Sequence, residues 1–519
     1  MKKIYVYFSL VFMLGFSAYA QKEAYNWFYG FGQGITWNQT QTFQGIPIDD
    51  PNTRVNLTGI PTRYEPESVR PQMYPIEASE GCFSMSDESG KLLFYSDGMT
   101  IYNSNHQIME NATNLSGNDS SAQSGIIIPY PGNNKKYVAV SIGIAGVGSF
   151  TYNILDIEAN NGLGKLELPS KRPFVLPPGA VRKDFVESVA ATKHANGIDY
   201  WIVSIQRSGT NSKMVAWLLS ENGVSSNPIT SPIPNAQLLN SHEFYGYLKI
   251  SPNGQSFALM LLKEKNLLWG AFNNRTGEFT NIQNYYALTR SVIDCYGGEF
   301  SANNKYLYVS SGRSANKKVY VFDFQELMQL NTSPFKTFDM PSNDYIEGTL
   351  QLGPDFRMYM TMHPPSLHRT YPSLLYLFDT PNEPLHTKVY ALENLSPSNG
   401  TGGSGEFPPG TALGLPSFVS SFFFEAKGTS TLCVGEEAVY TLSSNARRIE
   451  IDFDEGDGPS IIDNVAELRH SFKKPGNYLV KVRPLNSLGD PVQDEIKTIY
   501  TTVYSCYLPV NHNLINAEY

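Results

Sequence analysis

The chain has 519 residues and little charge, cysteine or histidine: 17% of residues are charged, four are Cys and eight are His. Hydrophobic residues reach 41%, so the charge shortage marks a globular chain and not a disordered one. No basic run follows Lys2-Lys3, and the net charge is -9 with a pI near 5.5. That balance argues against nucleic acid and against anionic membrane surfaces as partners. Beyond Phe16 no apolar stretch is long enough to cross a bilayer. Without a Cys-x-x-Cys, zinc ribbons and thioredoxin-like exchange lose their support. Gly-x-Ser-x-Gly, His-Glu-x-x-His and P-loop patterns are missing too, which removes the serine hydrolase, zincin and NTPase readings. Amphipathic helices are as scarce, the best short candidate lying around Phe324 to Leu330.

What is present starts at the N-terminus. Lys2 and Lys3 precede an apolar stretch from Ile4 to Phe16, and Ala18-Tyr19-Ala20 fits a small-x-small cleavage site. Residues 1–20 read as a signal peptide, with the mature chain starting at Gln21, which is not the Cys of a lipoprotein. The expected location is outside the cytoplasm: periplasm, outer-membrane surface or extracellular space. Disulfides form in such compartments. Cys433 and Cys506 bracket a C-terminal module and are expected to pair, whereas Cys82 and Cys295 are expected to be buried thiols.

Aromatics are plentiful, with 32 Tyr and 29 Phe, and 42 Gly and 33 Pro are spread along the chain. Short strands and tight turns use these residues. A degenerate repeat follows: an apolar strand, a Gly/Asn/Asp turn, a strand rich in Tyr and aliphatics, a polar loop and a further strand. Ser79 to Met109, Gly246 to Thr280, Tyr296 to Phe324 and Glu347 to Asp379 are the clearer copies. Gly125 to Ile142 and Val189 to Gln206 begin two looser ones. A spacing of roughly 40 to 55 residues is that of one four-stranded propeller blade. Tyr25 to Trp37 and Gly414 to Phe424 read as strands whose pairing would close a ring. The expected fold is all-β: a β-propeller over 21–425, seven-bladed with six blades as the alternative. Gly/Ser/Pro-rich Ser396 to Pro409 is read as a loop within the last blade. Residues 431–506 read as a small β-sandwich, with strands at Ala438–Leu442, Arg448–Phe453, Leu468–Phe472, Asn477–Val482 and Ile496–Val503. Residues 507–519 form a tail.

Two resemblances add to this. Ile451-Asp452-Phe453-Asp454-Glu455-Gly456-Asp457-Gly458, followed by His470-Ser471-Phe472 and Gly476-Asn477-Tyr478, resembles the pattern of PKD domains. Ile451 stands where that family has Trp, and the acidic turn is one residue longer. Asn26-Trp27-Phe28-Tyr29-Gly30-Phe31-Gly32 resembles the opening of a propeller family of Bacteroidetes-type bacteria. Ser79 to Cys82, Leu93 to Gly98, Lys193 to Trp201, Leu350 to Asp355 and Leu413 to Phe418 follow in the order of that family. The resemblance implies an immunoglobulin-like PKD spacer behind a propeller, on envelope or surface proteins of which some are associated with type IX secretion or gliding motility. No C-terminal sorting domain is evident, which leaves the periplasm open.

Four carboxylates attract attention. Glu80, Glu187, Glu299 and Glu347 each lie near the start of a repeat's first strand, where a propeller channel would be lined. Two of them held roughly 5 to 10 Å apart could act as the acid and base of a glycosidase. Otherwise they bind a ligand or pair with Lys and water. Asp452, Asp454 and Asp457, with Glu455, could hold Ca²⁺, although a solvated turn explains them as well. His194 and Asn196 with Asp199 read as a turn before they read as a base and its orienter. His363 and His368 are a weak metal signal. The leading expectation is a non-enzymatic envelope or surface protein that recognises a protein or glycan partner through propeller loops. The alternative is a carbohydrate-active enzyme using channel carboxylates. Convergence of the four Glu in one open pocket would favour the enzyme, and salt-bridged, filled positions would count against it.

Overall fold

The computed structural model describes residues 22–64, 75–144, 150–185, 187–196, 198–236, 246–263, 265–311, 317–341, 346–363, 373–395, 410–423, 426–428, 431–442, 448–463, 467–485 and 497–505. Residues 1–20, expected to be a signal peptide, the expected tail 507–519, Cys506 and His368 fall outside them. Six antiparallel sheets succeed one another in chain order, propeller-like, and their first strands adjoin in turn. These first strands are Phe83–Ser86, Gly125–Pro129, Val189–Lys193, Leu248–Ile250, Gly298–Phe300 and Ile346–Leu352. In the fourth sheet the order is Leu248–Ile250, Ser256–Leu261, Asn266–Asn273, Glu278–Asn284, each strand paired with the next.

Both faces of each sheet are buried, which is why the strands read as continuous apolar runs. In Ser256–Leu261, Phe257, Leu259 and Leu261 pack with Trp201, Val203 and Ile205 of the third sheet. Ala258 and Met260 point the other way, towards Phe300, Leu307 and Phe322 of the fifth. Alternating side chains thus serve two cores. Helices are few and short. The candidate around Phe324 is present as Phe324–Met328, with Asp323 accepting from the N–H groups of Gln325 and Glu326.

The two ends of this region meet. Phe31 and Gly410 exchange backbone hydrogen bonds at 2.9 and 3.1 Å, and Trp27 packs on Phe418 with ring centroids 6.0 Å apart. The C-terminal partner is not the regular strand expected: Gly410 to Pro416 makes isolated bridges, and Ser420–Phe423 turns as a short 3-10 helix. The strand Gln33–Pro47 runs well past Trp37 and serves two sheets. Its first part pairs with Asn26–Tyr29, and Ile46 and Pro47 pair with Ala391 and Tyr390 of the sixth sheet.

Residues from Ala426 onward form two further sheets around a core of their own, including Tyr440, Ile449, Ile451, Leu468, Val480 and Val482. Strands Ala426–Gly428, Thr431–Cys433 and Ser460–Asp463 were not expected from sequence. Phe356, in a turn of the sixth sheet, packs against this core and against that of the first sheets. Its φ of 61° is uncommon for so bulky a residue.

Candidate functional site

Each first strand ends in a turn closed by a backbone hydrogen bond, donated by Asp87, Tyr130, His194, Ser251, Ser301 and Gly353. Counting back from these residues corrects the sequence reading of the carboxylates. Glu80 and Glu187 lie seven positions before Asp87 and His194, in register with Gln123 and Asp294. Glu299 lies only two positions before Ser301, in register with Thr192, Lys249 and Gln351. The four Glu are therefore not equivalent, and the channel has two levels.

The deeper level is filled. Lys249 Nζ donates to Glu299 Oε2 at 2.9 Å and to Gln351 Oε1 at 2.7 Å. Glu299 is 5% exposed, and its Oε1 also accepts from the Phe300 N–H. Gln123, though it shares the register of Glu80, turns into this level and bridges two strands: its Oε1 accepts from Leu248 N at 2.8 Å and from Val189 N at 3.3 Å, and its Nε2 donates to Leu248 O at 3.2 Å. Ser417, Phe418, Ser420 and Phe423 close this level from the outgoing chain, leaving a void of about 20 Å³. Ser420 Oγ reaches Thr192 Oγ1 at 2.9 Å. Room for about one water remains, so no substrate enters here.

The other level opens into a cavity of about 500 Å³, lined by Glu80, Ser120, Ile144, Leu262, Lys263, Lys265, Asp294 and Tyr296. Tyr296 OH donates to Glu80 Oε2 at 2.8 Å. Burial pushes the Tyr296 and Tyr247 phenols well above their ordinary value, and the Glu80 carboxylate adds to both shifts. Tyr296 thus stays a donor. Glu187 is fully buried, at a φ of 58°, with Oε2 accepting from Ala122 N at 3.2 Å. It does not line the cavity. Glu347 lies in the strand Ile346–Leu352, but its side chain is outside the described residues. Of the four Glu, the described side chains place Glu80 alone at an open surface.

The acidic turn of the C-terminal unit is committed to its own fold. Asp452 Oδ1 accepts from Asp454 N at 2.9 Å, and Asp454 Oδ2 accepts from Leu479 N at 3.0 Å. Glu455 meets His470 Nε2 at 2.8 Å, and His470 stacks on Phe453 with centroids 3.8 Å apart. With Asp457, these carboxylates form no metal-holding group: among the described residues no three His, Cys, Asp or Glu gather to hold a metal ion. His194 is a turn residue, its Nδ1 accepting from Asn196 N and its Nε2 facing Arg275 O at 3.0 Å. The His363 side chain lies outside the described residues. Cys82 and Cys295 are buried free thiols, as expected, and Cys433 is disulfide-bonded.

Sequence reasoning missed Lys249, Gln351, Asp294, Lys263 and Lys265. Lys249 did carry a signal, being a lone ammonium in an apolar strand, two positions before a turn as Glu299 is in the next repeat.

No family model matches the sequence, and no curated protein matches it. Among solved structures, the extracellular domain of a candidate hybrid two-component system from B. thetaiotaomicron is similar at 9% identity, TM-score 0.36, over 94% of this chain and 57% of that one. The chain therefore spans little more than half of that protein. A candidate 6-phosphogluconolactonase from Bacteroides fragilis is similar at 12% identity, TM-score 0.32, over 81% of this chain and 96% of that one. The Dos1 propeller gives 10% identity, TM-score 0.39, over 62% and 71%. At such TM-scores none of them bears on what the chain does. No helix among the described residues is long and apolar enough to cross a membrane.

Proposed function

We propose that this chain is an exported, non-enzymatic binding protein: a seven-bladed propeller with a PKD-like sandwich, recognising a protein or glycan partner at the open end of its channel. The observation that carries this reading is the state of the channel carboxylates. A glycosidase needs two of them at one accessible place, roughly 5 to 10 Å apart. Glu299 is buried against Lys249, and Glu187 is buried on a backbone N–H. The seven-blade reading draws on six sheets and takes Asn26–Tyr29 and Gln33–Pro47, which are joined to the sixth of them, together with the segment from Gly410 as a further, closing blade. Export draws on the pattern of residues 1–20 and on the disulfide at Cys433, a bond of oxidising compartments. The test is affinity capture of a tagged copy from mildly crosslinked envelopes of its host, with mass spectrometry of what accompanies it. A reproducible, near-stoichiometric partner supports the reading, and its absence refutes the scaffold role.

A second reading, carbohydrate hydrolysis, draws on Glu80 and Asp294 lining the same cavity. It requires reducing ends to appear from a polysaccharide treated with the mature protein, and to stop appearing with Glu80→Gln or Asp294→Asn.

A further inference from the structure

The open cavity is built from segments fastened to one another. Glu80 N donates to Asp119 O at 2.9 Å, and Leu413 N to Ser79 O at 3.0 Å. Ile293 N donates to Lys265 O at 2.8 Å, which ties Asp294 to the turn bearing Lys263 and Lys265. Lys265 holds a φ of 48°, a left-handed conformation that costs a non-glycine residue energy. The volume of about 500 Å³ falls among small-ligand sites, which run from roughly 300 to 1,000 Å³. Gln123, Lys249, Glu299 and Gln351 fill the deeper level of the channel, so no polymer threads through it. A compact ligand fits this volume.

The lining selects the chemistry. Among the described lining residues, Glu80 and Asp294 are matched by Lys263 and Lys265, so neither sign dominates. An anion or a cation gains from one pair what it loses to the other. A hydroxyl group suits all four, donating to carboxylates and accepting from ammonium groups. Such charge-assisted bonds are about twice as strong as neutral ones. Ile144 and Leu262 add an aliphatic wall for a C–H face.

We infer that this cavity binds a short, uncharged saccharide through Asp294, Glu80, Lys263 and Lys265. The inference rests on the binding reading above and specifies its ligand. The experiment is calorimetric titration of the full mature chain with neutral mono- to tetrasaccharides of glucose, galactose, mannose, xylose and N-acetylglucosamine. Glucuronic acid, glucosamine and glutamine serve as charged and zwitterionic comparators. The expected result is binding of at least one neutral saccharide at least tenfold tighter than any comparator. Asp294→Asn and Lys265→Met should each weaken it tenfold or more with the melting temperature unchanged. Lys265 lies exposed in a turn, so its variant keeps the test valid should Asp294→Asn misfold. Preference for a comparator, no neutral binding at about millimolar concentration, or binding indifferent to both substitutions each overturns the inference. If saccharides fail while envelope capture succeeds, only the ligand assignment falls. If both fail, the binding reading falls with it.

Discussion

Removing one partner from the Lys249–Glu299 pair should be among the most damaging single changes available in the channel. Glu299 is 5% exposed and Lys249 9%, and they meet at 2.9 Å. Lys249→Met keeps the volume but leaves a buried carboxylate with backbone donors alone, from Phe300 at 2.9 Å and Leu352 at 3.4 Å. Breaking a buried pair in this way costs about 3–5 kcal/mol. Glu299→Gln should cost somewhat less, because Gln351 Oε1 still accepts from the ammonium group at 2.7 Å. The double variant removes both charges together and should recover about 2 kcal/mol or more of the summed loss, a coupling typical of groups in one network. All five tryptophans, Trp27, Trp37, Trp201, Trp217 and Trp269, precede the C-terminal sandwich, so denaturation followed by their fluorescence reports on the propeller-like region. Single changes costing under about 1 kcal/mol, or adding without coupling, would show that water reaches the pair and that the deeper level is not closed.

Other consequences are open to direct measurement. Burial lifts Asp97 to about 6, against the N–H groups of Thr100 and Met99 and with help from Asp119. The folded state thus keeps a proton that the unfolded chain releases near 3.8, so stability from this group is full below that pH and is lost as pH rises to about 6. Asp97→Asn keeps the acceptor for Met99 and Thr100, and should gain about 1–3 kcal/mol at pH 7.5 and nothing near pH 3.5 in urea midpoints. Thiol alkylation of the denatured chain should label Cys82 and Cys295 before reduction and all four cysteines after it, which checks the proposed Cys433–Cys506 bond. Trp27→Ala opens a cavity beside Trp37, Tyr359 and Phe418 and should cost about 3–5 kcal/mol in the same fluorescence assay. Gly414→Ala places a methyl group against Glu80 O, 1.6 Å from an ideal Cβ. It should displace Glu80 and weaken ligand binding at the cavity even in protein that folds.

Where local pattern decides the outcome, the sequence was readable. Runs such as Phe257 to Leu261 mark strands with two buried faces, and Asp323 marks the helix start at Phe324. The meeting of the two ends was legible from their aromatic, strand-like character, although the irregular path from Gly410 was not. The polar half of Gln33–Pro47 escaped notice because residues 38–43 face solvent in large part and carry no apolar period. The site was less legible for a different reason. Each carboxylate takes its partner from another repeat, Glu299 from Lys249 and Glu80 from Tyr296, and nothing in one repeat states the register of the next. Positions near strand starts therefore look alike in sequence, although five residues separate the two channel levels.

The pairing of Phe31 with Gly410 and of Trp27 with Phe418 also sets a clock. Whatever order the sheets form in, the ring waits for a segment made late in synthesis. Until then Trp27, Trp37 and Tyr359 lack the Phe418 side of their cluster, and an aromatic surface stays open. Contacts spanning so much chain close slowly, and exposed apolar surface of this kind is what chaperones hold.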